Sequence, residues 1–374
     1  MRVIEIGHIV AGPTAGLILS DLGHEVIKVE QPGKGDISRH LSGTSSGTFP
    51  YFNRNKKSLT LNFGTESGRE IFKRLIKTAD VLIDNLGFGS LERAGLPYQE
   101  LSTINPALIY LSLKGYGSGP YEERKSLDYP IEVHTGLAYM TGLIGRPMRV
   151  GTSIVDITSA MFGVIAILDA ANARMISGKG KFIDLGMFET SSFLVGQHIA
   201  SYQVNGKPLK PINEEGFAWA IYDFFKTIDN REIFIAVTTD SQWRNFCKAI
   251  KLELCDNEEY FTNEKRYSKR QELLEIVSKV ISQLLYNDLE KILNDNNIAY
   301  ALLNTPWDLL DDPQMSRKMV FTGRGSNKFR VPSIPIEGAK SGEYPFLGQN
   351  TDELLEELGY KKENIEIFKK NGTV

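Results

Sequence analysis

Short apolar runs alternate with helix-like periods through the first half of the chain. Residues 15–22, between the first two runs, carry apolar side chains at helical spacing. This rhythm is typical of βαβ units, so we predict a doubly wound, largely parallel sheet in an α/β fold. The predicted strands cover residues 3–7, 25–29, 59–61, 81–83, 108–113 and 182–185.

The pattern changes near residue 206. The segment Gly206-Lys207-Pro208 indicates a linker, and two alternating runs at 221–228 and 233–237 flank a polar turn at 229–231. Such a pair predicts a β-hairpin. Charged helical segments follow at 242–250, 269–286 and 288–295. We therefore expect a second, smaller α+β domain in this part of the chain.

Residues 155–168 place a single acid, Asp156, at the start of an otherwise apolar helix. As a helix cap, its carboxylate would accept hydrogen bonds from free N–H groups of the first turn and gain from the helix dipole. The same field would keep the carboxylate ionised, as a nucleophile toward an activated acyl group requires. From these residues alone, the cap is the favoured interpretation.

Composition narrows the possible partners and compartment. The 374 residues are 41% hydrophobic and 24% charged, with a formal net charge of −3, so no global field favours nucleic acid or an anionic membrane surface. The two cysteines, Cys247 and Cys255, suggest neither a zinc site nor a disulfide framework. We see no signal peptide and expect no membrane-spanning run, so we expect a cytoplasmic protein.

A strand, a glycine turn and a helix at the N-terminus invite comparison with dinucleotide-binding oxidoreductases. Their fingerprint requires G-x-G-x-x-G, whereas the glycines here are Gly7, Gly12 and Gly16. This mismatch argues against nicotinamide or flavin binding. Glu30, which closes the second predicted strand, is then expected to face solvent.

Short motifs occur along nearly the whole chain in a fixed order. They are Ala11-Gly12-Pro13, residues 25–30, Gly35-Asp36, residues 53–58, Ala79-Asp80-Val81 with Asn85, Gly115-Tyr116-Gly117, Thr141-Gly142, Gly178-Lys179-Gly180 with Asp184, and residues 345–353. With these motifs in this order, the sequence resembles class III coenzyme A transferases, the family of formyl-CoA transferase, carnitine-CoA transferase and α-methylacyl-CoA racemases. The resemblance implies an interlocked, ring-like homodimer with a large CoA-binding domain (residues 1–205 and 315–374) and a small α+β domain (206–314).

The resemblance implies an enzyme that moves CoA from an acyl-CoA to a carboxylic acid. Asp156 matches the family's nucleophile, which forms an acyl anhydride and releases the CoA thiolate. Backbone N–H groups near Ile157 and Thr158 are candidates for stabilising the oxyanion. The expected partners are acyl-CoA, a carboxylic acid and a second copy of the chain, with no metal and no tightly bound cofactor.

The family's CoA contacts carry over by position to several residues here. Arg93 and Lys125 are the phosphate candidates, with solvated surface charge as the alternative, whereas Lys56 and Lys57 are expected at the surface. The matching residues are Val10 and Ala11 beside the thiol end, Gln31, Asn85, Leu86, Gly87, Arg93 and Lys125. Formyl-CoA transferase differs at Val10, Gln31 and Leu86, which argues against formyl and oxalyl substrates.

The racemase branch places a histidine directly before an aspartate, at the position of Leu127 here. A leucine cannot move a proton, so transfer is favoured over racemisation or epimerisation. His134, seven residues on, is expected to be an ordinary packed or exposed histidine. A CoA-binding protein without turnover is the remaining alternative.

The acceptor's binding site is less defined by the sequence. Glu132 matches a position that is often glutamine in the family, and it could bind an acceptor hydroxyl or satisfy backbone donors. The family's glycine-rich closing loop corresponds to residues 213–219, which contain a single glycine, Gly216. Phe217 and Trp219 are candidates for lining the acyl pocket.

Overall fold

The computed structural model describes residues 1–215 and 218–374, which form two compact units. One unit contains Met1–Pro211 together with Pro313–Val374, and the other contains Ile212–Asp312. The domain boundaries expected from the sequence, 205/206 and 314/315, differ from these by a few residues.

A six-stranded parallel sheet forms the centre of the larger unit, with the order β3-β2-β1-β4-β5-β6. The chain builds outward from β1 to β3 and then crosses back to continue on the other side at β4, which is the doubly wound pattern predicted from the sequence. The parallel sheet is thereby confirmed. Its strands are β1 Arg2–Ile6, β2 Glu25–Glu30, β3 Lys57–Thr60, β4 Val81–Asp84, β5 Ile109–Lys114 and β6 Lys181–Gly186.

Helices connect these strands and cover the sheet. On one face, side chains such as Leu19 and Ile167 pack on Val3 and Leu111, and on the other, Phe72 lies in a separate core with Ile4. The helices are α1 Ala11–Asp21, α2 Thr48–Phe52, α3 Glu66–Lys77, α4 Ser90–Arg93, α5 Tyr98–Ile104, α6 Asp128–Thr135, α7 Leu137–Thr141, α8 Ile154–Ser177, α9 Met187–Leu194 and α10 Gly196–Asn205.

The smaller unit contains a three-stranded antiparallel sheet in the order β7-β8-β9. Ile221 pairs with Val237 across the first two strands, as the predicted hairpin requires. Trp243 and Phe246 are fully buried in its core. The elements are α11 Ile212–Glu215, β7 Ile221–Lys226, β8 Glu232–Val237, α12 Asp240–Ala249, α13 Asn263–Ser268, α14 Arg270–Ile281, α15 Tyr286–Asp295 and β9 Ala299–Leu302.

The C-terminal segment returns to the larger unit. It forms the antiparallel hairpin β10 (Met319–Arg324) and β11 (Asn327–Pro332), then α16 (Thr351–Glu357) and α17 (Lys362–Lys370). Leu354 and Ile365 of these two helices are buried in the same core as Ile4. Both ends of the chain therefore build one α/β unit.

Helix α8 is long and apolar enough, by length and composition, to cross a membrane: it has 24 residues and a mean hydropathy of 1.8 over its most apolar stretch. The expectation that no run has this character is wrong for α8. One face of the helix packs in the sheet's core through Val164 and Ile167, whereas Met161 and Ile165 on the opposite face are exposed. A core helix of an α/β protein has this combination of features.

Candidate active site

The sheet order fixes where a ligand site is expected. Strands β1 and β4 lie side by side, with Ile6 opposite Asp84 at their carboxyl ends, although the chain visits two other strands between them. In open α/β sheets, ligands bind in the crevice outside such a switch point. The segments that leave β1 and β4 here contain five of the predicted CoA contacts, namely Val10, Ala11, Asn85, Leu86 and Gly87.

The segment after β1 leads into α1, and α1 packs along α8. Helix α8 therefore lies beside this segment. Val10 lies in a small apolar cluster against which Ile157 packs, and Ala11 is buried in the same core as Val155. Val155 and Ile157 flank Asp156. The structure therefore brings the residues expected beside the CoA thiol to the same place as the expected nucleophile.

The cap of α8 is supplied by Asp128, not by Asp156. Asp128 Oδ1 accepts hydrogen bonds from the backbone N–H groups of Val155 and Asp156, at 2.9 and 3.2 Å. No described residue donates a hydrogen bond to the Asp156 carboxylate. The prediction that Asp156 caps its own helix is wrong, because a carboxylate from the first turn of α6 already occupies the free N–H groups.

The Asp156 carboxyl is also harder to ionise than the helix-dipole argument implies. Burial raises its pKa to about 7, the negative charge of Asp128 adds to this effect, and Arg149 opposes it. The expectation that the helix start keeps this group fully ionised at neutral pH is therefore wrong. At pH 7 the protonated and ionised forms coexist, and only the ionised form is a nucleophile.

Asp128, Glu132 and Arg149 form a charged cluster beside Asp156. Arg149 Nη2 lies 3.0 Å from Asp128 Oδ2, and Arg149 Nε lies 3.7 Å from Glu132 Oε1. Glu132 is fully buried, and its Oε2 accepts a hydrogen bond of 2.9 Å from the Val150 N–H. Burial and Asp128 raise the Glu132 pKa to about 7. Of the two roles left open by the sequence, the structure provides the backbone contact.

Sequence reasoning missed both Asp128 and Arg149 as site residues. Asp128 and Glu132 are four residues apart, so they lie on one face of α6, and this spacing of two acids was the available signal. Arg149 lies 21 residues after Asp128, in the segment before α8. Because the two residues are far apart in the sequence, no local pattern indicates that they pair.

The oxyanion candidates need a correction as well. The Ile157 N–H donates to the Ser153 carbonyl at 3.0 Å, so the expectation for Ile157 is wrong. Thr158 directs its hydroxyl to the Ile154 carbonyl at 2.6 Å. The Ile157 N–H, a donor that the sequence suggested was free, is therefore occupied.

Asn85 joins the two segments at the switch point. Its Oδ1 accepts the His8 N–H at 2.7 Å, and its Nδ2 donates to the His8 carbonyl at 3.2 Å. A Cβ at Gly7 or Gly12 would lie only 3.0 or 2.9 Å from Asn85 Oδ1, so both glycines permit this close approach. Asn85 is at the site, and its amide holds the turn after β1.

The remaining predicted CoA contacts lie toward solvent. Leu86 is half-buried and its N–H donates to Asp84 Oδ1 at 2.8 Å, whereas Gln31, Gly87, Arg93 and Lys125 are exposed. The guanidinium of Arg93 donates to the Phe88 carbonyl and to Ser90 within its own loop. The structure does not bring these four exposed residues into contact with Asp156 within its described part.

Two charged residues expected at the surface are buried. Lys56 is 5% exposed, and its Nζ lies 2.6 Å from Glu5 Oε2, with Pro13 O and Asn53 Oδ1 also in range. Glu30 is 4% exposed and pairs with Arg39 at 2.7 Å. Both expectations are wrong because opposite charges from other segments meet these side chains. Lys57, by contrast, is only half-buried and pairs with Glu353.

Leu127 and His134, the residues compared with the racemase branch, lie directly before α6 and within it. Leu127 is 66% exposed and directly precedes α6. His134 packs against Phe188, and its Nδ1 lies 3.0 Å from the Tyr116 hydroxyl, so it is a packed histidine with an exposed edge, as expected. Helix α6, which contains His134, ends before Gly136, where φ is 82°.

The predicted closing loop is described only in part. Gly216 and Phe217 lie outside the described residues. Trp219 is half-buried, and its ring contacts that of Tyr222 at a centroid distance of 5.3 Å.

Comparison with known proteins decides the family. Residues 1–351 match the model of CoA-transferase family III. The chain belongs to this family. Among curated relatives, an acyl-CoA transferase of Fusarium pseudograminearum is 33% identical over all of this chain and 87% of its own length. Human succinyl-CoA:glutarate CoA-transferase is 31% identical over 96% of this chain and 85% of its own length.

A solved structure supports the same assignment. The CAIB/BAIF family protein from Brucella suis superposes with a TM-score of 0.85 and is 31% identical, covering 96% of this chain and 98% of its own. The resemblance inferred from the sequence motifs is confirmed. An enzyme of the CoA-transferase class, EC 2.8.3, is consistent with these relatives.

Proposed function

We propose that the protein transfers CoA from an acyl-CoA to a carboxylic acid through an acyl anhydride on Asp156. The observation that carries the proposal is the setting of this carboxyl. It lies in the first turn of α8, accepts no hydrogen bond from the described residues, and is flanked by the side chains that contact Val10 and Ala11. A nucleophilic carboxylate needs an oxygen lone pair that is free to attack, and an oxygen that caps a helix is already engaged in hydrogen bonds.

The proposed steps balance without a metal. The ionised Asp156 carboxylate attacks the thioester carbonyl, a C–O bond forms, and the C–S bond breaks to release the CoA thiolate. The resulting anhydride keeps the acyl group activated. The acceptor carboxylate then attacks the Asp156 carbonyl of this anhydride, a new C–O bond forms, and the C–O bond to the donor breaks, which releases the first acid as its carboxylate. The CoA thiolate attacks the acceptor carbonyl of the second anhydride, a C–S bond forms, and the C–O bond to Asp156 breaks, which yields the new thioester and the free Asp156 carboxylate.

The charges around Asp156 suit the proposed reaction steps. A pKa near 7 leaves a substantial ionised fraction of Asp156 and makes the carboxylate more basic than an exposed aspartate, which favours attack on an acyl carbon. Asp128 holds the helix start while Arg149 offsets part of the negative charge. Of the predicted phosphate contacts, Arg93 and Lys125 are exposed and accessible to the nucleotide part of CoA.

For the substrates, we propose succinyl-CoA as the donor and a small dicarboxylic acid as the acceptor. The support is the human relative, whose name specifies succinyl-CoA and glutarate. Formyl-CoA transferase has other residues at the positions of Val10, Gln31 and Leu86. These differences argue against formyl and oxalyl groups and are consistent with the proposed donor.

We also propose that a second copy of the chain covers the outer face of α8 and the helices after it, in an interlocked homodimer. Large apolar side chains are exposed along these helices, and clusters of exposed apolar surface are typical of protein–protein interfaces. Sedimentation of the wild-type protein is expected to give a dimer. The exposed side chains include Met161, Ile165, Leu168, Phe193, Ile199 and Val204.

A mass-spectrometric screen tests the proposed activity. The enzyme is incubated in D₂O with succinyl-, acetyl-, oxalyl- or a branched acyl-CoA and a mixture of carboxylic acids. We expect new acyl-CoA species from succinyl-CoA, and none with Asp156→Ala. Asp295→Ala, at an exposed helical aspartate at the end of α15, is the matched control and should remain active.

The other candidate functions give different results in the same screen. Deuterium at the α-carbon of the branched acyl-CoA, without transfer, would indicate a racemase or epimerase. Tight CoA binding with neither transfer nor exchange would indicate a binding protein. Transfer at the normal rate by Asp156→Ala would overturn the proposed nucleophile.

A further inference from the structure

The turn after β1 contains an unusual backbone conformation at Ile9. Its φ is 64°, in the left-handed region that β-branched residues rarely adopt. Such outliers persist only where surrounding groups hold them, and they concentrate at functional sites. Ile9 directly precedes Val10 and Ala11, the residues proposed to lie beside the CoA thiol.

A buried carboxylate holds Ile9 in this conformation. Both oxygens of Asp36 face the Ile9 N–H, at 3.2 and 3.3 Å. Asp36 is 1% exposed, and the backbone N–H and hydroxyl of Ser38 fix it at 2.8 and 2.7 Å. A full negative charge accepting from a backbone N–H makes a stronger bond than a neutral acceptor would.

A buried lysine keeps Asp36 charged and ties it to the same turn. Lys28 Nζ lies 2.9 Å from Asp36, 2.8 Å from Glu5 and 2.7 Å from the Gly7 carbonyl. Burial alone would raise the pKa of Asp36, but Lys28 and the Ser38 hydrogen bonds hold this pKa well below its ordinary value. The turn is therefore fixed at Gly7 by Lys28 and at Ile9 by Asp36.

The geometry of the turn determines where the next two residues lie. Val10 is buried beside Ile157, and Ala11 is buried in the core that contains Val155. If Ile9 returned to an ordinary negative φ, the chain direction after it would change, and Val10 and Ala11 would leave these contacts. The strained conformation at Ile9 is thus coupled to the packing of Val10 and Ala11 with Ile157 and Val155, the residues on either side of Asp156.

We propose that Asp36 is a positioning residue for CoA transfer, which holds Ile9 in its left-handed conformation and so aligns Val10 and Ala11 with the thioester attacked by Asp156. This role rests on the proposed function. Asp36 does not touch the reacting atoms. Its contribution is to impose a backbone conformation that the isoleucine side chain resists.

A double-mutant cycle distinguishes this role from simple stabilisation. Asp36→Ala removes the acceptor, and Ile9→Gly removes the steric resistance to a positive φ. Thr60→Val is the matched control because it removes a buried hydrogen bond, to Thr351, in the same unit and leaves the described hydrogen bonds of Asp36 and Ile9 in place. For each protein, kcat, KM for acyl-CoA, the CoA dissociation constant and the melting temperature are measured.

We expect Asp36→Ala to lower kcat/KM by about 100-fold, as misplacement of a reacting group does. Combining it with Ile9→Gly should restore about tenfold of this loss, because glycine adopts the required φ without the carboxylate. Thr60→Val should lower the melting temperature while kcat and KM stay near their wild-type values. If Asp36→Ala does not fold, Asp36→Asn, which keeps one acceptor, replaces it in the cycle.

Full activity in folded Asp36→Ala would contradict the role of Asp36. The role would also be contradicted if the double variant lost kcat/KM by the product of the two single losses, because the two substitutions would then act independently. Loss of activity in Thr60→Val equal to that in Asp36→Ala would also contradict it, since a general loss of stability would then be sufficient. Failure of the wild-type enzyme to transfer CoA would instead contradict the proposed function. The two failures are therefore distinguishable.

Discussion

Replacement of the proposed nucleophile by its uncharged analogue should stabilise the fold. In Asp156→Asn, the side chain keeps nearly the same shape but can no longer ionise. In the wild-type protein, this carboxyl must ionise in a half-buried position beside the negative charge of Asp128, which costs free energy in the folded state. Proteins commonly accept such a cost at a reactive site.

The sign and size of this stabilisation follow from the pKa of Asp156, which burial and Asp128 raise from 3.8 to about 7. Below pH 3.8 the group is protonated in both states and contributes nothing. Above pH 7 it is ionised in both, and the folded state bears the full cost. Three pH units at about 1.36 kcal/mol each give an upper limit of about 4 kcal/mol. Water contact reduces the expected value to about 2 kcal/mol.

Urea unfolding at pH 5 and pH 8 measures this effect. We expect Asp156→Asn to raise the free energy of unfolding at pH 8 by about 2 kcal/mol and by less at pH 5. Asp295→Asn, at an exposed helical position at the end of α15, controls for the substitution itself and should change the free energy of unfolding by less than about 0.5 kcal/mol at both pH values. An equal effect of Asp156→Asn at the two pH values would refute the assignment of the raised pKa.

Three further outcomes follow from the same contacts. The rate of acyl transfer should rise with pH through about 7, and Asp128→Asn, which keeps an acceptor for the helix cap but removes the charge, should move this rise to lower pH in a pH-rate profile. Lys56→Met should destabilise the fold by about 3 kcal/mol in urea unfolding because the buried Glu5 keeps Lys28 at Oε1 but loses its ion pair at Oε2, whereas Lys57→Met should cost less than about 1 kcal/mol. Lys125→Gln should raise KM for acyl-CoA at low salt by about threefold with kcat unchanged, and high salt should remove the difference.

The sheet could be predicted because its strands are nearly continuous apolar runs, as parallel strands covered on both faces must be. Val3 and Ile4 illustrate this, since they face opposite cores and are both fully buried. The position of Asn85 at the site was also predictable, because it directly follows β4. Both inferences use information that is local in the sequence.

The charges could not be placed from the sequence in the same way. Lys28, Glu30 and Lys56 look like surface residues, and each is buried because its partner arrives from a distant segment. The capping of α8 by Asp128 spans 27 residues to Val155. A local pattern shows that a helix begins near Asp156, but it does not show that another carboxylate already fills the cap.

Trapping of the acyl anhydride tests the central claim most directly. The enzyme is mixed with succinyl-CoA, treated with hydroxylamine or borohydride, digested and examined by mass spectrometry. We predict a hydroxamate, or the corresponding reduced side chain, at Asp156 only when acyl-CoA is present. Rapid CoA transfer with an unmodified Asp156 peptide, or the same label at Asp128 instead, would contradict the account.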